Sequence, residues 1–150
     1  MSQSLSKLYV HIIFHTKGES RINSNNNDEL YTYIGGVIKQ TGSLPIRING
    51  MSDHIHILCV LSKNISLSVL AKEIKTYSSK WIKKLAPCYA GFEWQRGYAG
   101  FSVSQSIRET TINYITNQAE HHKRISFKEE YLTFLNEYGV EYNEAYLWTD

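Results

Sequence analysis

Two histidines separated by one residue, His54-Ile55-His56, open the run His-Ile-His-Ile-Leu-Cys-Val-Leu61. The run is apolar and β-branched enough to read as a buried strand, preceded by the turn Gly50-Met-Ser-Asp53. Side chains alternate across a strand, so residues two apart share a face and their Cα atoms lie roughly 7 Å apart. The two imidazoles therefore project side by side, a ready pair of ligands for a first-row metal ion. Ile55, Ile57, Cys59 and Leu61 take the other face, which anchors the strand in a core.

Two histidines rarely hold a metal alone. Candidates for a third ligand cluster in the helical stretch Asn113-Tyr-Ile-Thr-Asn-Gln-Ala-Glu-His-His122. Gln118 lies four residues after Tyr114, one helical turn away on the same face. A tyrosine hydroxyl beside a metal site is a candidate nucleophile on phosphorus. His121 and His122 are equally able to serve as third ligand by spacing, or to be helix-end residues that complement the helix dipole.

These residues need elements to hold them. Leu8–His15 reads as a first strand, with Leu8, Val10, Ile12 and Phe14 on one face. Asn26 and Glu29 read as a capping box opening a helix that runs to about Thr41, where Gly42 and Pro45 end it. Gly35-Gly36 inside that helix implies that something approaches its backbone closely there. Ile46–Asn49 is a short strand forming a hairpin with the histidine strand. A second helix runs from about Ser66 to Leu85 with Leu70, Ile74, Tyr77 and Trp81 as its buried stripe. Phe92–Ser104 is a turn-rich strand region. Ser106 and Glu109 read as a second capping box, for a helix over about 107–122. A last helix covers about 127–138 and stops at Gly139. The order strand, helix, strand, strand, helix, strand, then helices predicts an α+β, ferredoxin-like split βαβ sandwich: an antiparallel sheet with additional C-terminal helices. No linker or internal repeat divides residues 1–150, so one domain is expected.

Charge is uneven although the net is only +2. Residues 1–124 carry 15 basic against 8 acidic side chains, and residues 125–150 carry 1 against 6. On the second helix Lys72, Lys75 and Lys83 fall opposite the apolar stripe, either as a solvated face or as phosphate contacts, and Arg96 is a further candidate. No apolar run approaches the ~20 residues of a membrane span, the N-terminus lacks a secretory layout, and two cysteines make no disulfide framework. A reduced, cytoplasmic setting is expected.

The histidine–hydrophobic–histidine triplet resembles the defining motif of the HUH endonucleases. The block Trp94-Gln95-x-Gly97-Tyr98-x-x-Phe101-Ser102-Val103-Ser104 and the block Tyr114-Ile115-x-Asn117-Gln118-x-Glu120-His121-His122 resemble those of the single-tyrosine transposases of bacterial and archaeal insertion sequences (the 200/605 type). Glu130-Tyr131, Phe134-Leu135 and Tyr146-Leu147-Trp148 in the tail are similar too. The resemblance implies that His54, His56 and Gln118 hold Mg²⁺ or Mn²⁺ and that Tyr114 is the nucleophile. It further implies a single-stranded DNA substrate carrying hairpins, cleaved and rejoined through a 5′-phosphotyrosine. A homodimer follows as well, in which the histidine pair of one subunit often meets the tyrosine helix of the other. A histidine-triad hydrolase fits poorly, because Leu58 stands where a third histidine belongs. A hairpin-binding regulator that does not transpose is the alternative.

Overall fold

The computed structural model describes residues 2–149. Strands β1 (Leu8–His15), β2 (Leu44–Met51), β3 (His54–Leu61) and β4 (Ala99–Val103) form an antiparallel sheet in the order β2-β3-β1-β4. Helix α1 (Asn27–Gln40) connects β1 to β2, and α2 (Leu67–Leu85) connects β3 to β4. These two interleaved βαβ units are the expected split arrangement. Four further helices follow: α3 (Arg108–Thr116), α4 (Gln118–His121), α5 (Phe127–Glu137) and α6 (Glu144–Leu147).

Strand alternation divides the molecule into two layers. Val10, Ile12 and Phe14 of β1 and Ile55, Ile57 and Cys59 of β3 face α1 and α2, where Leu30, Ile34, Ile38, Leu70 and Ile74 complete the main core. Leu8, expected on that face, is 56% exposed at the strand's start. The opposite face packs against the C-terminal helices. There Ile13, Ala99 and Phe101 meet Phe127, Tyr131 and Leu135 of α5, while Tyr9, Leu58 and Val103 meet Ile112 and Ile115 of α3. The histidine pair lies on this second face.

Several local expectations give way to tertiary context. Asn26 does not cap α1. A 3-10 turn over Ser24–Asn26 puts it in the helical region, and its Oδ1 accepts from the Tyr89 hydroxyl at 2.6 Å. Ser106 does not cap α3 either, since a 3-10 turn precedes that helix too and the Ser106 hydroxyl pairs with Ser104. Gly35 and Gly36 are not sites of close approach: a Cβ on Gly35 would make ordinary contacts at 3.9 Å or more, and one on Gly36 none. The close approach comes instead at Gly50, where a Cβ would lie 2.2 Å from the His54 carbonyl oxygen. β2 is longer than expected, with a bulge between Pro45 and Arg47, and β3 follows after a turn at Ser52-Asp53. On α2 the buried stripe is Leu70, Ala71, Ile74, Ser78 and Ile82. Tyr77 is 47% exposed instead, and Trp81 stacks on Tyr33 with ring centres 5.0 Å apart.

The motif residues of the turn-rich region serve packing. Trp94 meets Phe14 edge-on and donates from Nε1 to Ser78 Oγ at 2.9 Å. Gln95 Oε1 accepts from the backbone N–H of His15 at 2.8 Å, fixing the end of β1. Helix α5 ends at the expected glycine, with Gly139 at φ 64°. In the tail Trp148 packs on His15, Phe127 and Tyr131, but Tyr142 and Tyr146 stay exposed.

Candidate functional site

His54 and His56 point the same way from β3, with ring centres 5.3 Å apart, and both are almost fully buried. Each is oriented from outside. His54 Nδ1 donates to Asp53 Oδ1 at 2.8 Å, which turns Nε2 inward. His56 Nδ1 lies 2.8 Å from Nε2 of His11, a buried residue two positions before Ile13 on the neighbouring strand. Such outer partners fix the tautomer and ring angle of a metal-ligating imidazole. His11 was not among the sequence candidates. Its signal was the alternation of Tyr9, His11, Ile13 and His15, the same period that exposed the histidine pair.

Gln118 arrives at the site by way of a broken helix. The expected continuous helix over 107–122 is interrupted at Asn117, where α3 gives way to α4. Asn49 of β2 donates from Nδ2 to the carbonyls of Ile115 (2.9 Å) and Thr116 (3.1 Å). Those carbonyls would otherwise accept from the next helical turn, so both stay satisfied where the ladder stops. The reoriented Gln118 is fully buried, and its Oε1 accepts from His54 Nε2 at 3.1 Å and from His122 Nε2 at 3.0 Å.

The centre of the cluster is Glu130, on α5, which sequence reasoning left without a role. Its Oε1 lies 2.9 Å from His56 Nε2, 3.2 Å from His122 Nε2 and 3.4 Å from His54 Nε2. Its Oε2 accepts from the Tyr114 hydroxyl and from Gln118 Nε2 at 3.3 Å, and lies 3.1 Å from His121 Nε2. A sequence signal existed: Glu130 follows Phe127 by three residues and so shares the face of α5 that Phe127 and Tyr131 bury. A glutamate on an apolar helix face needs a partner.

The electrostatics follow from burial and these contacts. Burial pushes His56 down to about 4, which keeps it neutral. Burial also acts to lower His54, but its hydrogen bonds to Asp53 and Glu130 outweigh it and hold its pKa at about 9. Glu130 is held below the usual carboxylate range, its burial outweighed by hydrogen bonds from His54 and His56. Burial, then the Glu130 carboxylate, raises the Tyr114 phenol. Its hydroxyl also lies 2.9 Å from His121 Nε2. A cleft of about 340 Å³ opens onto Tyr114, His121 and Glu130 beside Thr110 and Phe134. A larger groove of about 800 Å³ lies across the sheet, between α1 and α2, and contains none of these residues.

The donor set suits a divalent cation. His54, His56, His122 and Glu130 each offer an atom, all within 4.8 Å of one another, and Gln118 Oε1 faces two of the same nitrogens. Of the basic candidates, Lys72, Lys83 and Arg96 are exposed. Lys75 does not face solvent as expected. Its ammonium donates to the carbonyls of Gln95 (3.0 Å), Arg96 (2.5 Å) and Gly97 (3.0 Å) and so braces the loop that carries Arg96.

The histidine pair, glutamine and tyrosine converge within one chain, and residues 4–118 match the family described as "Transposase IS200 like". The chain belongs to the IS200-like transposase family. Two solved structures share the fold of this IS200-like transposase. One, described as a candidate transposase from Deinococcus radiodurans R1, has 23% identity and a TM-score of 0.59, with 79% of this chain and 98% of that chain covered. The other, a REP-associated tyrosine transposase bound to a REP hairpin, has 14% identity and a TM-score of 0.60, with 83% and 76% covered. No curated protein matches. The family match contains His54, His56, Tyr114 and Gln118, whereas His121, His122 and Glu130 lie beyond its end.

Proposed function

We propose that this IS200-like transposase cleaves and rejoins single-stranded DNA at hairpin-bearing element ends, with Tyr114 as the nucleophile. The observation that carries the reading is that the Tyr114 hydroxyl and the inward nitrogens of His54 and His56 all contact one carboxylate, that of Glu130. The nucleophile and the ligand pair are therefore in one place. A structural neighbour solved with a REP hairpin supports the substrate class.

In this reading His54, His56 and Gln118 hold Mg²⁺ or Mn²⁺, which when bound supplies charge stabilisation at the scissile phosphate. Tyr114 attacks phosphorus in line. Its proton has two acceptors at hand, Glu130 Oε2 and His121 Nε2. The bond from phosphorus to the leaving oxygen breaks, leaving a 5′-phosphotyrosine and a free 3′-hydroxyl. One phosphodiester replaces another, so a second 3′-hydroxyl can reverse the step and seal a new junction without an external energy source. Burial of Gln118, His54 and His56 limits water at the centre, which protects the covalent intermediate from hydrolysis.

Lys72, Lys83 and Arg96 contact phosphates in this reading, and Lys75 acts on DNA indirectly, by bracing the loop of Arg96. The chain works in the cytoplasm as a homodimer, which sedimentation at micromolar concentration tests by returning twice 17.3 kDa. The deciding experiment is incubation of the protein with labelled hairpin-bearing single strands and Mg²⁺ or Mn²⁺. A denaturant-resistant adduct on the peptide containing Tyr114 is expected. Hairpin binding with no adduct under any divalent ion would replace this reading with that of a hairpin-binding regulator.

A further inference from the structure

We infer that Glu130 is itself a ligand of the metal ion through Oε1, and that the same carboxylate holds the Tyr114 hydroxyl through Oε2. The site then takes first-row transition ions, Mn²⁺ among them, in preference to Mg²⁺. The inference rests on the proposed function only in treating the histidine cluster as a cation site.

The Glu130 side chain is 1% exposed, and an ionised carboxylate in the interior is strongly unfavourable unless charge and hydrogen bonds compensate it. The chain nonetheless builds a rigid mount for it. Ser126 caps α5 by accepting from the backbone N–H of Glu129, and Phe127, one turn before Glu130, stacks on the His54 ring with centres 4.1 Å apart. Tyr131 and Leu135 fasten the same helix to Ile13 and Phe101 of the sheet. Glu130 is therefore aimed at the cluster by the packing of α5.

The surroundings of Oε1 match a coordination sphere. Three imidazole Nε2 atoms, those of His54, His56 and His122, face it at 2.9 to 3.4 Å. All three rings are held by contacts at Nδ1: the Asp53 carboxylate, the His11 ring and the backbone carbonyl of Ile125, the last at 3.0 Å. An outward Nδ1 partner with an inward Nε2 is the arrangement of metal-ligating histidine. Three imidazoles beside one carboxylate and the Gln118 amide oxygen make a donor set richer in nitrogen than in oxygen, which disfavours Mg²⁺ relative to Mn²⁺ and later first-row ions. Glu130 also lowers the charge of the occupied centre, leaving one net positive charge from a dication and neutral imidazoles, enough to neutralise one phosphodiester.

The second oxygen gives the carboxylate its additional role. Oε2 takes the Tyr114 hydroxyl, so the nucleophile is positioned by a group that the ion itself would fix. Occupancy of the centre and placement of the phenol become linked through one side chain. Glu130 and His122 lie outside the stretch matched by the family, so this completion of the site comes from the C-terminal segment of the same chain.

The test is titration of the chelator-treated full chain with Mn²⁺ and with Mg²⁺ by calorimetry, alongside the visible spectrum of the Co²⁺-loaded protein. One Mn²⁺ per chain is expected, bound more tightly than Mg²⁺. Glu130→Gln, which preserves volume, should weaken Mn²⁺ binding at least ~10-fold and change the Co²⁺ band, while its metal-free circular dichroism stays native. His54→Ala should abolish binding, and Tyr114→Phe should leave it within about threefold, since the phenol is not a ligand. If Glu130→Gln fails to fold, Glu130→Asp serves instead, with a changed Co²⁺ band expected from the shorter side chain. Wild-type affinity and an unchanged Co²⁺ spectrum in the folded Glu130 variant would overturn the inference, as would absence of Mn²⁺ binding by the wild type. Mn²⁺ binding that depends on Glu130, with no DNA adduct at Tyr114, would sustain the metal site and overturn the transposase chemistry alone.

Discussion

His54 Nε2 and Gln118 Oε1 lie 3.1 Å apart across 64 residues of the same chain. The histidine strand and the tyrosine-bearing segment therefore meet without help from a second subunit, and the arrangement supports assembly of the site in cis. Mixing Tyr114→Phe chains with His54→Ala chains tests this directly. No recovery of adduct formation is expected in the mixture, and recovery would show that the helix segment exchanges between subunits.

Tyr114→Phe removes a hydroxyl that pairs with His121 and Glu130 and leaves the ring in place. Thermal stability should change by no more than about 1 kcal/mol. If Tyr114 is the nucleophile, DNA cleavage and the covalent adduct should fall together by at least ~1000-fold, since among the described residues no other tyrosine hydroxyl bonds to Glu130. Adduct persisting on another tyrosine peptide would reassign the nucleophile.

Asp53→Asn keeps the shape of the side chain at 2.8 Å from His54 Nδ1 but removes its charge. The imidazole loses the partner that fixes its tautomer, so Mn²⁺ affinity should drop roughly 10-fold with little change in fold. Calorimetry on the variant reads this, and affinity equal to wild type would show that the main chain alone orients His54.

The pH dependence of the metal-free chain has two limbs. His56, lowered by burial from 6.5 to about 4, favours the folded state above pH 6.5, and that contribution is lost as pH falls from 6.5 towards 4. Up to ~3 kcal/mol is at stake. His11, lowered by burial and then by His56, and the depressed Glu130 act in the same direction. His54, raised to about 9, contributes fully below pH 6.5 and loses that contribution as pH rises through 9. Melting temperature in the presence of a chelator should therefore peak near pH 6.5. A stability that climbs steadily from pH 6.5 to 9 would contradict the assigned state of His54.

The two cysteines should differ sharply towards alkylation. Burial in the main core pushes the Cys59 thiol up to about 12, whereas Cys88 is exposed. Iodoacetamide at pH 8 should modify the native chain once, at Cys88, and twice after denaturation. Mass spectrometry that finds native labelling at Cys59 would show that β3 opens readily.

Sequence by itself determined what depends on local period and spacing. The two faces of β3, the inward Val10, Ile12 and Phe14 of β1, the length of α2 and the glycine stop of α5 all follow from alternation, a 3.6-residue repeat or a local turn signal, because each is a property of one element. The convergence of His54, His56, Tyr114 and Gln118 was legible only through the resemblance of ordered motifs. Only the tertiary structure decided the rest. The Asn117 break exists because Asn49, far away in sequence, satisfies the last carbonyls of α3. Both expected capping boxes gave way to 3-10 turns, since a turn closes the backbone bonds that a cap would have supplied. Lys75 turned inward because three carbonyls of a distant loop meet at its ammonium. His11 and Glu130 became part of the site through strand pairing and the docking of α5, contacts between elements that no spacing within one element can encode.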